Sequence, residues 1–232
     1  MLTRRWRVPT NIMMKRAVIT IFGVLVIAAT SFAQSADWPL VVAKGHFTMP
    51  LPPSMELMEG TFESTTKDGR EHLVVTTENL SVWAQPKGIN ASERLGEQRS
   101  AGIVVNTERG AAGDYMPLGA DMSLSAEELQ KLDENLHSGF VQSGEQSGEV
   151  TGINWTGTDV VQLEGTQAIR LRYSAKMGPS KADFVVNTYM IQNYDSMYYV
   201  TATYLLEQQE KWTEDLKTAL AAMRFEARGN TE

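Results

Sequence analysis

The chain has 232 residues, 42% of them hydrophobic, and its 21 Lys and Arg stand against 28 Asp and Glu for a formal charge of −7. It contains no cysteine, which excludes disulfide staples, thiol catalysis and thiolate metal sites and leaves burial as the source of stability. An acidic surface also repels nucleic acid and anionic lipid, so neither is an expected partner.

Met1 to Ala33 reads as an export signal. Arg4, Arg5, Arg7, Lys15 and Arg16 precede an apolar run from Ala17 to Ala29, and Ser31 and Ala33 supply small residues at the third and first positions before a cut. The alternative is a retained anchor, since about 18 apolar residues can just span a bilayer. Thr20 and Gly23 interrupt this run, however, and it ends in a processing-like Ser31-Phe32-Ala33-Gln34. Met13 and Met14 are alternative starts that keep Lys15 and Arg16 ahead of it. Cleavage leaves residues 34–232 as a single globular α+β domain in the periplasm or outside the cell. That part holds 16 basic and 28 acidic residues, a formal −12.

In chain order, Pro39–Ala43 and His46–Met49 read as a hairpin through Lys44-Gly45, stopped by Pro50, Pro52 and Pro53. After a turn at Lys67-Asp68-Gly69, the runs His72–Thr77 and Leu80–Gln85 read as strands joined at Glu78-Asn79, and Ala101–Thr107 as a further strand. Residues 111–122 read as a loop. Leu124-Ser125-Ala126-Glu127-Glu128-Leu129 opens a helix: Ser125 can cap, Glu128 can reach back to it, and Leu124 with Leu129 can form a staple. Leu129, Leu132, Leu136 and Phe140 continue one face at helical spacing. Ser143–Gly157, with four glycines, reads as a flexible connection or a pair of short edge strands.

Asp159–Glu164, Gln167–Ala175, Asp183–Tyr194 and Met197–Leu206 read as an antiparallel meander. A two-residue turn at Asp195-Ser196 sets Ile191 against Val200, Tyr189 against Ala202 and Asn187 against Tyr204. Val185, Val186, Leu205 and Leu206 are apolar on both faces, which predicts a sheet covered on both sides. Glu210–Met223 reads as a terminal helix with Trp212, Leu216, Ala219, Leu220 and Met223 on one stripe, Phe225 extending the anchor, and Gly229–Glu232 a frayed tail.

This order of elements resembles the PsbP-like and Mog-type proteins. The residues that carry the likeness are Gly45-His46-Phe47-Thr48-Met49-Pro50-Leu51-Pro52, then Tyr198-Tyr199-Val200-Thr201-Ala202, then Lys211-Trp212 through Met223-Arg224-Phe225. The resemblance implies an antiparallel sheet meander covered by helices, an α/β/α sandwich, in a group dominated by accessory and binding proteins. It carries no functional residue over, and an unrelated α+β domain is the alternative.

No catalytic, metal-binding or cofactor motif stands out. His46, His72 and His137 lie in unrelated contexts, and there is neither a Gly-x-Ser-x-Gly elbow nor a His-x-x-x-His pair. The candidate ligand contacts are Arg170 and Arg172, which share one strand face and could receive an anionic group, with Tyr199 as an accessible aromatic. The competing reading pairs both arginines with acidic neighbours. The expected function is an exported accessory protein whose partner is a protein or an envelope component. The alternative is a small-ligand binder or hydrolase with a pocket near the 111–122 loop, where Asp114, Tyr115 and Asp121 lie.

Overall fold

A computed structural model describes residues 35, 37–77, 80–90, 100–118, 124–147, 150–177 and 182–226. The proposed leader, Glu78-Asn79, Asp121 and the last residues of the tail lie outside the described residues. The strands are β1 (Leu40–Ala43), β2 (Phe47–Pro50), β3 (Met55–Leu57), β4 (Phe62–Lys67), β5 (Arg70–Val75), β6 (Val82–Pro86) and β7 (Ala101–Arg109). Then follow α1 (Ala126–Ser147), β8 (Val150–Leu163), β9 (Thr166–Met177), β10 (Ala182–Asn193), β11 (Ser196–Leu205), a 3₁₀ turn, α2 (Gln209–Ala221) and β12 (Arg224–Phe225).

The class is α+β, with two sheets and two helices among the described residues. One sheet runs β12-β2-β1-β5-β4 and the other β3-β6-β7-β11-β10-β9-β8. Every pairing is antiparallel except β1 with β5. The expected meander is present as β8 to β11, each strand beside the next.

Period-2 alternation gives the seven-stranded sheet two different faces. Its inner face carries Val82, Ala84, Ile103, Val105, Val200, Ala202 and Tyr198. These pack with Phe47 and Met49 of the smaller sheet, with Trp212, Leu216, Ala219 and Leu220 of α2, and with Met223 just beyond that helix to form the main core. Burying each large apolar side chain there contributes about 1.5–3 kcal/mol. Phe225 packs against the edge of this core, as its place after the terminal stripe implies. His46 and Tyr198, both buried, share a hydrogen bond 2.9 Å long that ties the first hairpin to β11.

The outer face carries α1, whose start follows the capping-box expectation. Ser125 N–H donates to Glu128 Oε2 at 2.8 Å, and Glu128 N–H donates to Ser125 Oγ at 3.3 Å. Beneath the helix, Tyr173, Ala175 and Val186 form a second, smaller apolar cluster with Phe140 and Trp155.

Four expectations need correction. The last hairpin turns at Tyr194-Asp195, with Asn193 opposite Ser196, so Ile191 pairs with Tyr198, Tyr189 with Val200 and Asn187 with Ala202. Tyr194 takes the left-handed conformation at φ 58° and Ser196 is fully buried in the strand. The shift is by two residues, so each side chain keeps its face. Next, β5 and β6 do not form a hairpin; they belong to different sheets, and β5 instead pairs with β4 and β1. Most of Ser143–Gly157 is regular structure, the end of α1 and the bulged first half of β8. At the bulge Gly157 has φ 131°, a conformation that strains other residues. Finally, Leu206 leaves the sheet for the 3₁₀ turn and is half exposed.

Candidate functional site

The turn between β8 and β9 sets Leu163 opposite Thr166, which places Asp159 opposite Arg170 and Gly157 opposite Arg172. On the other side of β9, Tyr189 lies opposite Arg170 and Asn187 opposite Arg172. All of these except the bulged Gly157 belong to the inner face, at the end of the sheet beyond the tightest core.

Asp159 is gripped by Arg170 through both arms of the guanidinium: Nε donates to Oδ1 at 2.9 Å and Nη2 to Oδ2 at 2.5 Å. Such a two-point pair is stronger and more directional than a single charged contact. Tyr189 also hydrogen-bonds Arg170. These contacts raise the guanidinium's affinity for its proton, while burial, with the Asp159 charge and Tyr204 adding to it, pushes the Tyr189 hydroxyl up against the opposing pull of Arg170.

Arg172 is placed differently. Its Nη2 stands 3.8 Å from Asp159 Oδ2, an ion pair without hydrogen-bond contact, and its side chain is 40% exposed. Its Nε is buried with no hydrogen-bond partner. The two arginines predicted to share a face do so, but one is locked and the other is only half neutralised.

Tyr199 lies on the opposite, outer face, since its row runs Asn106, Tyr199, Met190, Ile169. Its hydroxyl donates to Glu108 Oε2 at 3.2 Å, and burial followed by the Glu108 charge pushes its pKa up. It therefore does not join the arginines.

The described part of the 111–122 loop is stitched onto the β10–β11 turn. Gly110 N–H donates to Asp195 O at 2.9 Å and Tyr115 N–H to Tyr194 O at 2.8 Å. Asp114 Oδ2 accepts from Ala111 N–H at 2.6 Å, and Tyr115 hydrogen-bonds Glu108. A Cβ at Gly110 would meet Asp114 Oδ2 at 2.6 Å and Tyr115 Cε2 at 2.9 Å, so any larger residue there would displace these two side chains.

Solved structures of similar shape include one from Bacteroides thetaiotaomicron at TM-score 0.44 and 10% identity, covering 84% of this chain. The chain spans 50% of the length of that structure. Another is the solution structure of cyanobacterial PsbP (CyanoP) from Synechocystis sp. PCC 6803, at TM-score 0.44 and 8% identity over 80% of this chain and 90% of that one. A third, LpqN, involved in cell envelope biogenesis of Mycobacterium tuberculosis, matches at TM-score 0.37 and 13% identity over 81% and 88% of the two chains. No family model matches the chain, and neither does any curated protein. Likeness at this depth carries no functional inference.

Open grooves occur elsewhere. One of about 420 Å³ is lined by Ala182, Asp183, Leu205, Leu206 and Glu207, and another of about 290 Å³ by Leu40, Thr48, Pro50, Arg70 and Arg224. Neither is lined by the arginine row. Among the described residues no group of three His, Asp or Glu is placed to hold a metal ion, and no helix is long and apolar enough to cross a membrane.

Sequence reasoning missed Asp159, Tyr189 and Asn187 as members of the row. It also missed a cluster under α1, where Trp155 Nε1–H donates to Asp133 Oδ1 at 2.9 Å. There the Trp155 ring stacks between His137, 5.1 Å away, and Tyr173, 6.0 Å away. Burial pushes the Tyr173 hydroxyl up to about 12. A Glu-Gly turn seated between two strands of unequal length was the available signal for the first set.

Proposed function

We propose that the chain is an exported accessory protein of the periplasm or cell envelope, which binds a protein or an envelope component and performs no chemistry of its own. The observation that supports this reading is the engagement of side chains suited to acid–base work. Asp159 is held by Arg170, Asp133 by Trp155, Glu108 by Tyr199, Glu164 by Arg224, and His46 by Tyr198 inside the core. A general acid or base must face the proton it moves, and these groups face structural partners. The leader with Arg4, Arg5 and Arg7 supports the export part of the reading.

The rival, a small-ligand binder or hydrolase at the 111–122 loop, has less support, because Asp114 and Tyr115 bind the loop to itself and to the adjacent turn. The test is affinity capture from periplasmic extract, run beside hydrolase assays on ester, phosphate and glycoside substrates. Saturable capture of one component without turnover is expected. Turnover that Asp114→Asn abolishes would sink this reading.

A further inference from the structure

The geometry points to Arg172 as the receptor of a single carboxylate from the partner, taken up at the exposed end of its guanidinium on the inner face of β8–β10. This deepens the binding-protein reading and rests on it. Arg170 shows how a carboxylate fits here, since its Nε and Nη2 close on both oxygens of Asp159. The outer end of Arg172 is not held in this way: Nη2 stands 3.8 Å from the Asp159 oxygen that Arg170 already holds, beyond hydrogen-bond contact.

Charge selects the class of ligand. Two guanidinium groups and one carboxylate leave the row with a local net charge of about +1 in a protein whose formal charge is −7. A monoanion balances that charge. A phosphate dianion would overshoot it and be repelled by Asp159 nearby. Shape agrees, because a guanidinium fork matches the flat carboxylate. Access agrees as well, because Arg172 is 40% exposed where Arg170 is 27% exposed. Asn187, opposite Arg172 on β10, adds a polar neighbour. Because all of these sit on strands, the row is rigid before the ligand arrives.

The experiment follows arginine Nε–Hε resonances in ¹⁵N-arginine-labelled protein during titration with sodium acetate, with sodium chloride and inorganic phosphate at matched ionic strength. Arg172→Lys and Arg172→Gln, each checked for an unchanged melting temperature, assign the resonance. A saturable shift at Arg172 with acetate, several-fold larger than at Arg170 and absent with chloride, is expected. No saturable shift overturns the inference, as does an equal shift in chloride or a larger one in phosphate. Capture by the Arg172 variants separates the two ideas. A component retained equally by wild type and Arg172→Lys leaves the binding reading standing and overturns the carboxylate site, whereas no capture by wild type sinks the binding reading while the acetate titration still decides the site.

Discussion

The two faces of the seven-stranded sheet are built from alternating residues of the same strands, yet they hold their cover differently. On the inner face Val105, Val200, Ile103 and Tyr198 are sealed beneath a second sheet and a helix that presents five buried or nearly buried side chains. On the outer face α1 buries none of Leu129, Leu132, Leu136 or Phe140 completely, and much of its attachment runs through Trp155. Dense packing on one side makes the fold cooperative, and lighter packing on the other makes α1 a locally stable unit laid on a finished sheet.

The largest expected effect breaks the inner face. Trp212→Ala should cost about 3–5 kcal/mol, read as a lower urea midpoint shared by every probe; a loss confined to α2 would contradict a single core. Tyr198→Phe removes the partner of His46 Nδ1 and should cost about 1–3 kcal/mol by denaturation, since it strands a buried polar group. Trp155→Phe keeps the stack and deletes the donor to Asp133. It should cost about 1 kcal/mol and appear as faster amide exchange in α1, with β7 and β11 unchanged. Equal acceleration in β11 would mean that the two faces are not separable.

Acid should sharpen the contrast by the smallest amount. Burial alone would raise the Asp133 pKa, but bonds from Trp155 and the Thr158 backbone, with His137 nearby, outweigh it and hold the carboxyl below its usual range. Glu128 is likewise lowered by its bonds to Ser125. Both folded values lie below the unfolded ones. Their contribution is therefore complete above the ordinary carboxylate range and is lost as pH falls through the folded values. Amide exchange in α1 should accelerate during acidification from about pH 6 toward pH 2, relative to its intrinsic rate, before β7 and β11 respond.

Much of this architecture could be read from spacing. The capping box at Ser125 and Glu128, the Trp212 stripe and the four-strand meander all follow from local rules, because each is decided within a few residues. What escaped was decided at a distance. Nothing within β5 says that it pairs with β1 in parallel and leaves β6 to another sheet. β3 was missed because three residues, Met55–Leu57, are too few to show a period, and β4 because its polar run Phe62–Lys67 resembles a loop. The site was half legible: Arg170 and Arg172 were placed together correctly from their two-residue spacing, whereas Asp159 enters only once the turn is fixed at Glu164-Gly165. A register displaced by one pair of residues would put Asp159 opposite Arg172 and exchange the two arginines' roles.

The smaller sheet also joins the ends of the described chain, with β12 hydrogen-bonded to β2 so that Phe225 lies opposite Phe47. Bringing such remote segments together costs loop-closure entropy before any contact repays it. That sheet therefore cannot be completed until residues 224–225 have been made, and its last hydrogen bonds should form late in folding. For a polypeptide that crosses a membrane through a narrow translocon, as proposed here, this ordering postpones closure of the sheet's β12 edge until residues 224–225 have been synthesised.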